Sequence, residues 1–181
     1  MIEGEALVLP PEAAGAAKAY LRVERSDEDA LIAGLVAAAA ELCEAFIGGP
    51  LLVRGFVETI PAGQAWRRLT GTPVRAITLV EAIPAEGAAQ ALPSVAYGVD
   101  IDPAGNGWVR ATGPGKARRL RVGYQAGLAA NWAALPAGLR QGILRLAAHF
   151  YTNRAPESAR SAEPPAAVTA LWRPYRRIRL R

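Results

Sequence analysis

Two long stretches of the chain repeat apolar side chains at three- and four-residue spacing, the period of an α-helix. The first begins after the acidic run 27–29 and ends at the glycine-glycine-proline run 48–50, a strong stop signal. The second begins at Pro136 and carries the stripe Leu139, Ile143, Leu146 and Phe150. A shorter helix with proline in its first turn precedes both. The pattern predicts helices at about 11–23, 27–47 and 136–153.

Between the two long helices the pattern changes to short β-branched or alternating runs separated by glycine and proline. This texture predicts strands near 51–60, 65–70, 74–83, 94–101, 107–112 and 118–124. The run 103–107 is the clearest hairpin turn. In the last strand, alternation places Arg119, Arg121 and Gly123 on one face. The sequence therefore predicts a β-rich insertion at about 51–124.

After the third helix, proline interrupts the chain and removes the continuous apolar period that a helix requires. We expect residues 155–181 to form an extended basic C-terminal arm, and residues 1–154 to fold without it. The predicted fold class is α+β: a helical bundle of two N-terminal helices and one long C-terminal helix, with the β-rich insertion between them.

The arm together with Arg154 also carries the whole net charge of +5. Residues 154–181 hold seven arginines and two glutamates, whereas residues 1–153 hold 14 basic and 14 acidic residues. Aromatic and aliphatic groups alternate with arginine near the end of the chain and would be costly to leave exposed. We therefore expect a partner-binding segment made of Leu171, Trp172, Arg173, Tyr175, Arg176, Arg177, Ile178 and Leu180.

A second basic group lies on the last predicted strand. Arg118, Arg119 and Arg121 are candidates for contact with DNA or with a neighbouring subunit, because phosphate binding requires only cationic donors. A basic strand face that is merely solvated explains the same residues.

The inventory of catalytic residue types is small. His149 is the only histidine and Cys43 the only cysteine, so no zinc-type ligand cluster and no internal disulfide can form. Asp100 and Asp102 share a strand face beside a turn, which is typical of a solvated hairpin rim. The sequence predicts no catalytic, cofactor-binding or metal-binding residues and no enzyme activity. It shows no signal peptide and no obvious membrane span, which favours the cytoplasm.

The order of elements resembles the head–tail connector, or adaptor, proteins of long-tailed bacteriophages and gene transfer agents. The resemblance covers most of residues 18–154 and lies in structural motifs. The residues that carry it are the runs 27–32 (Asp-Glu-Asp-Ala-Leu-Ile), 72–77 (Thr-Pro-Val-Arg-Ala-Ile), 121–127 (Arg-Val-Gly-Tyr-Gln-Ala-Gly), 135–144 and 147–154.

This resemblance implies a connector domain over 1–154 that forms a non-enzymatic ring, typically a dodecamer. The ring would lie between the portal protein of the capsid and a tail-completion or stopper protein. DNA would pass through its lumen without specific binding. The arm would dock on the portal or on an adjacent subunit. The protein would assemble in the bacterial cytoplasm and then occupy the head–tail junction, with no cofactor and no membrane.

The alternative from the residues alone is a small nucleic-acid-binding protein whose arginine-rich tail holds backbone phosphate. Binding of that kind weakens steeply as salt rises, whereas apolar docking survives moderate salt.

Overall fold

The structure, a computed structural model, describes residues 1–86, 88–113, 117–153 and 164–177. The chain divides into two compact units: a sheet unit made of 1–6 and 52–128, and a helical unit made of 7–51 and 129–181. In the described residues, four helices and two antiparallel sheets make the fold α+β, as the sequence predicted. The helices are α1 Pro11–Leu21, α2 Asp29–Ile47, α3 Ala137–Thr152 and α4 Ala166–Trp172.

The helical unit has a core of aliphatic and small side chains. Helix α2 packs against α3, α1 contacts both, and α4 packs against α3 and touches α2. Alanines are fully buried where helices meet, including Ala13, Ala39 and Ala40. Cys43 is buried in the same core, and burial raises the pKa of its thiol, so it behaves as a small apolar group.

The described part of the sheet unit contains eight strands in two sheets. Their bounds are β1 Ile2–Gly4, β2 Arg54–Pro61, β3 Arg67–Arg68, β4 Val74–Ile83, β5 Gln90–Ala91, β6 Tyr97–Ile101, β7 Gly107–Ala111 and β8 Arg119–Ala126. The five-stranded sheet has the order β1-β2-β8-β4-β5, and the three-stranded sheet the order β3-β7-β6. Residues of both sheets form one apolar cluster that includes Ile60, Val80, Val109 and Val122.

One carboxylate lies inside this sheet unit. Glu58 is 6% exposed, and its Oε2 accepts hydrogen bonds from the Thr70 N–H at 2.8 Å and from the Tyr124 hydroxyl at 3.0 Å. The Gly71 N–H donates in turn to the Tyr124 oxygen at 2.9 Å. Because buried polar groups require partners, this network fixes the turn after β3 to strands β2 and β8.

The structure confirms the six predicted strands and three predicted helices. The helices and strands β3, β6 and β7 are shorter than predicted, β4 has the predicted bounds, and β2 and β8 end later, at Pro61 and Ala126. The structure adds β1 and β5, which are too short to give a periodic signal. The expectation of an extended arm is wrong for its described part, since Ala166–Trp172 is helical and Arg173–Tyr175 forms a 3-10 turn. Pro165 lies at the N-cap of α4, and proline at a helix start sacrifices no hydrogen bond. The proline pair therefore begins a helix.

Candidate functional site

Trp172, which the sequence placed in a partner-binding arm, is fully buried in its own chain. Its ring lies 5.8 Å from that of Phe46, centroid to centroid, and its Nε1 donates to the Leu139 carbonyl at 3.4 Å. Gly142 of α3 leaves room for the indole, because a Cβ there would lie 2.8 Å from Trp172 Cδ1. The tryptophan holds α4 against α3.

The residues of the predicted arm that come after Trp172 also pack against the helical unit. Tyr175 lies against the start of α3, where a Cβ on Gly138 would come within 3.5 Å of its ring. The Arg176 guanidinium lies 5.5 Å from the Phe46 ring centroid, and the Arg177 N–H donates to the Ile47 carbonyl at 2.9 Å. The segment is thus tied to the end of α2.

The other members of the predicted set differ in exposure. Arg173 and Arg176 are exposed, and Leu171 is half-buried. Ile178 and Leu180 lie outside the described residues. Removing residues 154–181 would strip Val168 and Trp172 from the helical core, so we now expect that truncation to destabilise the helical unit.

The three strand arginines stay together at the beginning of β8. Arg118, Arg119 and Arg121 are all exposed, while Leu120 and Val122 point into the core, as the alternation predicted. The Arg121 Nη1 lies 3.5 Å from Glu81 Oε2 on β4. This surface is basic, but one of its three cations faces a carboxylate.

The side chains that could take part in catalysis or metal binding make local structural contacts. His149 Nδ1 lies 3.0 Å from the Asn153 amide nitrogen at the end of α3. Asp102 accepts from the Asn106 N–H and side-chain amide, both at 2.8 Å, and these bonds lower the pKa of Asp102 to about 2. Asp102 therefore shapes the β6–β7 hairpin. Within the described ranges, no three His, Cys, Asp or Glu residues group into a metal site.

Sequence reasoning missed the outward face of α2. This helix is apolar on both sides: Ile32, Val36 and Cys43 are buried, while Leu31 and Leu42 are exposed on the opposite side. In the described part of the chain, α2 alone has the length and composition to cross a membrane, a property that core helices of soluble proteins share. The sequence already indicated this apolar outward face, because residues 30–47 contain only two charged side chains.

The fold and these surfaces define an α+β protein whose outstanding features are an apolar helix face and a basic strand face. The family model of the head completion protein matches residues 14–164. The chain belongs to the head completion protein family.

Solved structures agree with this assignment. A chain from the neck of an empty gene transfer agent particle, computed with C6 symmetry, has the same fold with a TM-score of 0.77 at 24% identity. A chain of the virion of a native gene transfer agent particle gives a TM-score of 0.76 at 25% identity. One from the neck of the native particle, computed with C12 symmetry, gives 0.72 at 25% identity. Each match covers 99% of this chain and 97% of the other. No curated protein matches the sequence.

Proposed function

We propose that this protein is a structural subunit of the head–tail junction of a bacteriophage or gene transfer agent particle. The observation that carries the proposal is membership of the head completion family over residues 14–164, together with end-to-end likeness to chains of particle necks. The family match and the structural likeness are separate observations, and both support a location at the head–tail junction.

The subunits form a ring, a dodecamer in this proposal, between the portal protein and a tail-completion or stopper protein. The six-fold and twelve-fold symmetries of the related necks support a ring. Copies of one chain close into a ring when each presents two different complementary patches. DNA passes through the lumen, so contact with it is transient and independent of sequence.

The predicted partner residues keep a role in this proposal. Arg173 and Arg176 are exposed, the latter beside the end of α2, and the portal or an adjacent subunit reaches them there. Buried Trp172 holds this segment in place. Ile178 and Leu180, which lie outside the described residues, belong to the same predicted partner-binding set. Arg118, Arg119 and Arg121 contact passing DNA or a neighbouring subunit.

The role is non-enzymatic. The groups that most often perform catalysis have structural tasks instead: Cys43 fills a core, His149 lies beside Asn153 at a helix end, and Asp102 holds a turn. The protein is made and assembled in the bacterial cytoplasm and leaves the cell at the head–tail junction of the particle.

Deletion of the coding gene, followed by electron microscopy and mass spectrometry of purified particles, tests this function. We expect filled heads without attached tails, and restoration of tailed particles by the wild-type chain. Tailed particles of normal activity that lack this protein would overturn the proposal. Measuring DNA binding by the purified chain over a range of salt separates the nucleic-acid-binding alternative, which requires strong affinity with a steep salt dependence.

A further inference from the structure

The outward stripe of α2 is nearly free of charge over its whole length. Its members are exposed and lie at helical spacing on one side: Leu31, Gly34, Ala38, Glu41, Leu42 and Ala45. Leu31 is 43% and Leu42 36% exposed. A surface helix ordinarily places charged residues on this side, so an apolar outward stripe indicates a face that another protein covers.

Helix α3 has an outward stripe of similar size whose one charged member is basic. Its exposed or half-buried members are Ala137, Gln141, Leu144, Arg145, Ala148 and Thr152. A shallow hollow of about 180 Å³ beside this stripe is lined by Trp132, Arg140 and Leu144, among others. Small side chains and a hollow allow a second helix with leucine side chains to approach closely.

The two stripes face away from each other. The buried sides of α2 and α3 pack together in the helical unit, and each outward stripe lies on the far side of its own helix. Two unlike patches on opposite sides of one unit are the geometry of a heterologous contact, in which each copy meets the next through different surfaces.

Charge favours the same pairing. Residues 7–51, which contain α1 and α2, hold three basic and seven acidic residues, a net charge of −4. On the stripes themselves, Glu41 is the one charged member on α2 and Arg145 the one on α3, a helix that holds two arginines and no acidic residue. Such complementarity selects a head-to-tail contact and disfavours two like faces.

We propose that the outward α2 stripe of one copy packs on the outward α3 stripe of the next copy, with Glu41 opposite Arg145. This inference rests on the proposed function, since it assumes that copies of the chain form a ring. It adds which surfaces meet and which residues set the direction of the ring.

Disulfide trapping in assembled particles tests the contact. The double variant Ala38→Cys/Ala148→Cys carries one cysteine on each stripe, and the two lie on opposite sides of the same unit. We expect oxidised particles of this variant to give a ladder of covalent multimers on non-reducing gels. Each single variant should give none, because Cys43 is buried.

The outcomes separate the two proposals. If mass spectrometry finds the double variant in particles at normal abundance and no ladder forms, the α2–α3 contact is wrong, whereas the function stands. If wild-type particles lack the chain, the proposed function fails and the contact with it.

Charge reversal provides a second measurement. Glu41→Arg and Arg145→Glu should each reduce incorporation into particles about tenfold, and the double reversal should restore it. Glu24→Arg makes the same change of charge in an exposed residue off the stripe and should incorporate normally. Thermal unfolding of each purified variant should match the wild type, since both positions are at the surface. Failure of the double reversal to restore incorporation would overturn the pairing of Glu41 with Arg145.

Discussion

The interiors of the two units of this protein are stabilised by different kinds of interaction. In the helical unit, the described buried residues are apolar, and Trp172 and small alanines fill the space between helices. The sheet unit buries Glu58 and Thr72 as well, and the Glu58 carboxylate is satisfied by Thr70 and Tyr124. The stability of the helical unit therefore depends on close packing of its core. The stability of the sheet unit also depends on hydrogen bonds, and removing one of them leaves a buried polar group without that partner.

The largest effect should come from emptying the helical core. Trp172→Ala removes a fully buried indole between Phe46 and α3, which should lower the free energy of unfolding by about 3 to 5 kcal/mol. Denaturant unfolding followed by circular dichroism measures it. Trp66→Ala is the matched control, because Trp66 is 42% exposed and contacts Arg110 at the surface. An equal loss in both variants would show that Trp172 is not a core residue.

Overfilling the same core should have a smaller effect. A Cβ on Gly142 would overlap the Trp172 indole, so Gly142→Ala should destabilise by about 1 to 3 kcal/mol. In Gly15→Ala the new methyl group meets nothing within 4 Å, and the better helix former should stabilise by about 0.5 to 1 kcal/mol. Opposite signs for one substitution in two helices would confirm close packing at Gly142; equal signs would refute it.

In the sheet unit, removing one hydroxyl tests the buried network. Tyr124→Phe keeps the ring but leaves the Gly71 N–H without this acceptor and Glu58 without this donor, which should cost about 1 to 3 kcal/mol. Tyr20→Phe deletes a hydroxyl from a side chain on α1 that is 48% exposed and should change stability little. A Tyr124→Phe variant as stable as the wild type would mean that the network does not contribute to stability.

The smallest effect should appear only in acid. Hydrogen bonds from Asn106 lower the pKa of Asp102 from its ordinary 3.8 to about 2. The stabilisation is complete above pH 3.8 and is lost as pH falls through about 2, because the folded state binds this proton less readily. Titration of the Asp102 carboxyl by nuclear magnetic resonance measures the shift. Asn106→Ala should raise the pKa toward its ordinary value, and an unchanged pKa would assign the shift to another cause.

The sequence predicted the elements whose own residues carry a periodic signal. Helices α2 and α3 follow from apolar spacing, and β8 from strict alternation between arginine and buried aliphatic residues. Strands β1 and β5 were missed because two or three residues give no period, and they exist only through pairing with β2 and β4.

The candidate site shows the same division. The sequence shows that α2 carries apolar residues on both sides. Only the structure shows which side is buried in the core, and therefore which apolar residues are left exposed. The exposure of Arg119 and Arg121 followed from alternation, whereas the position of Arg121 opposite Glu81 came from strand register.

By itself, the sequence determined the α+β class, the main helices and strands, and the resemblance to head–tail connectors, because local spacing and turn residues encode these directly. The tertiary structure alone decided where the segment that contains Ala166–Trp172 and Arg173–Tyr175 packs. Trp172 looked like an anchor for a partner, but Gly142, thirty residues earlier, leaves the space that its indole fills. A contact between residues so far apart leaves no local pattern, since it depends on two surfaces that become complementary only after the helices have packed.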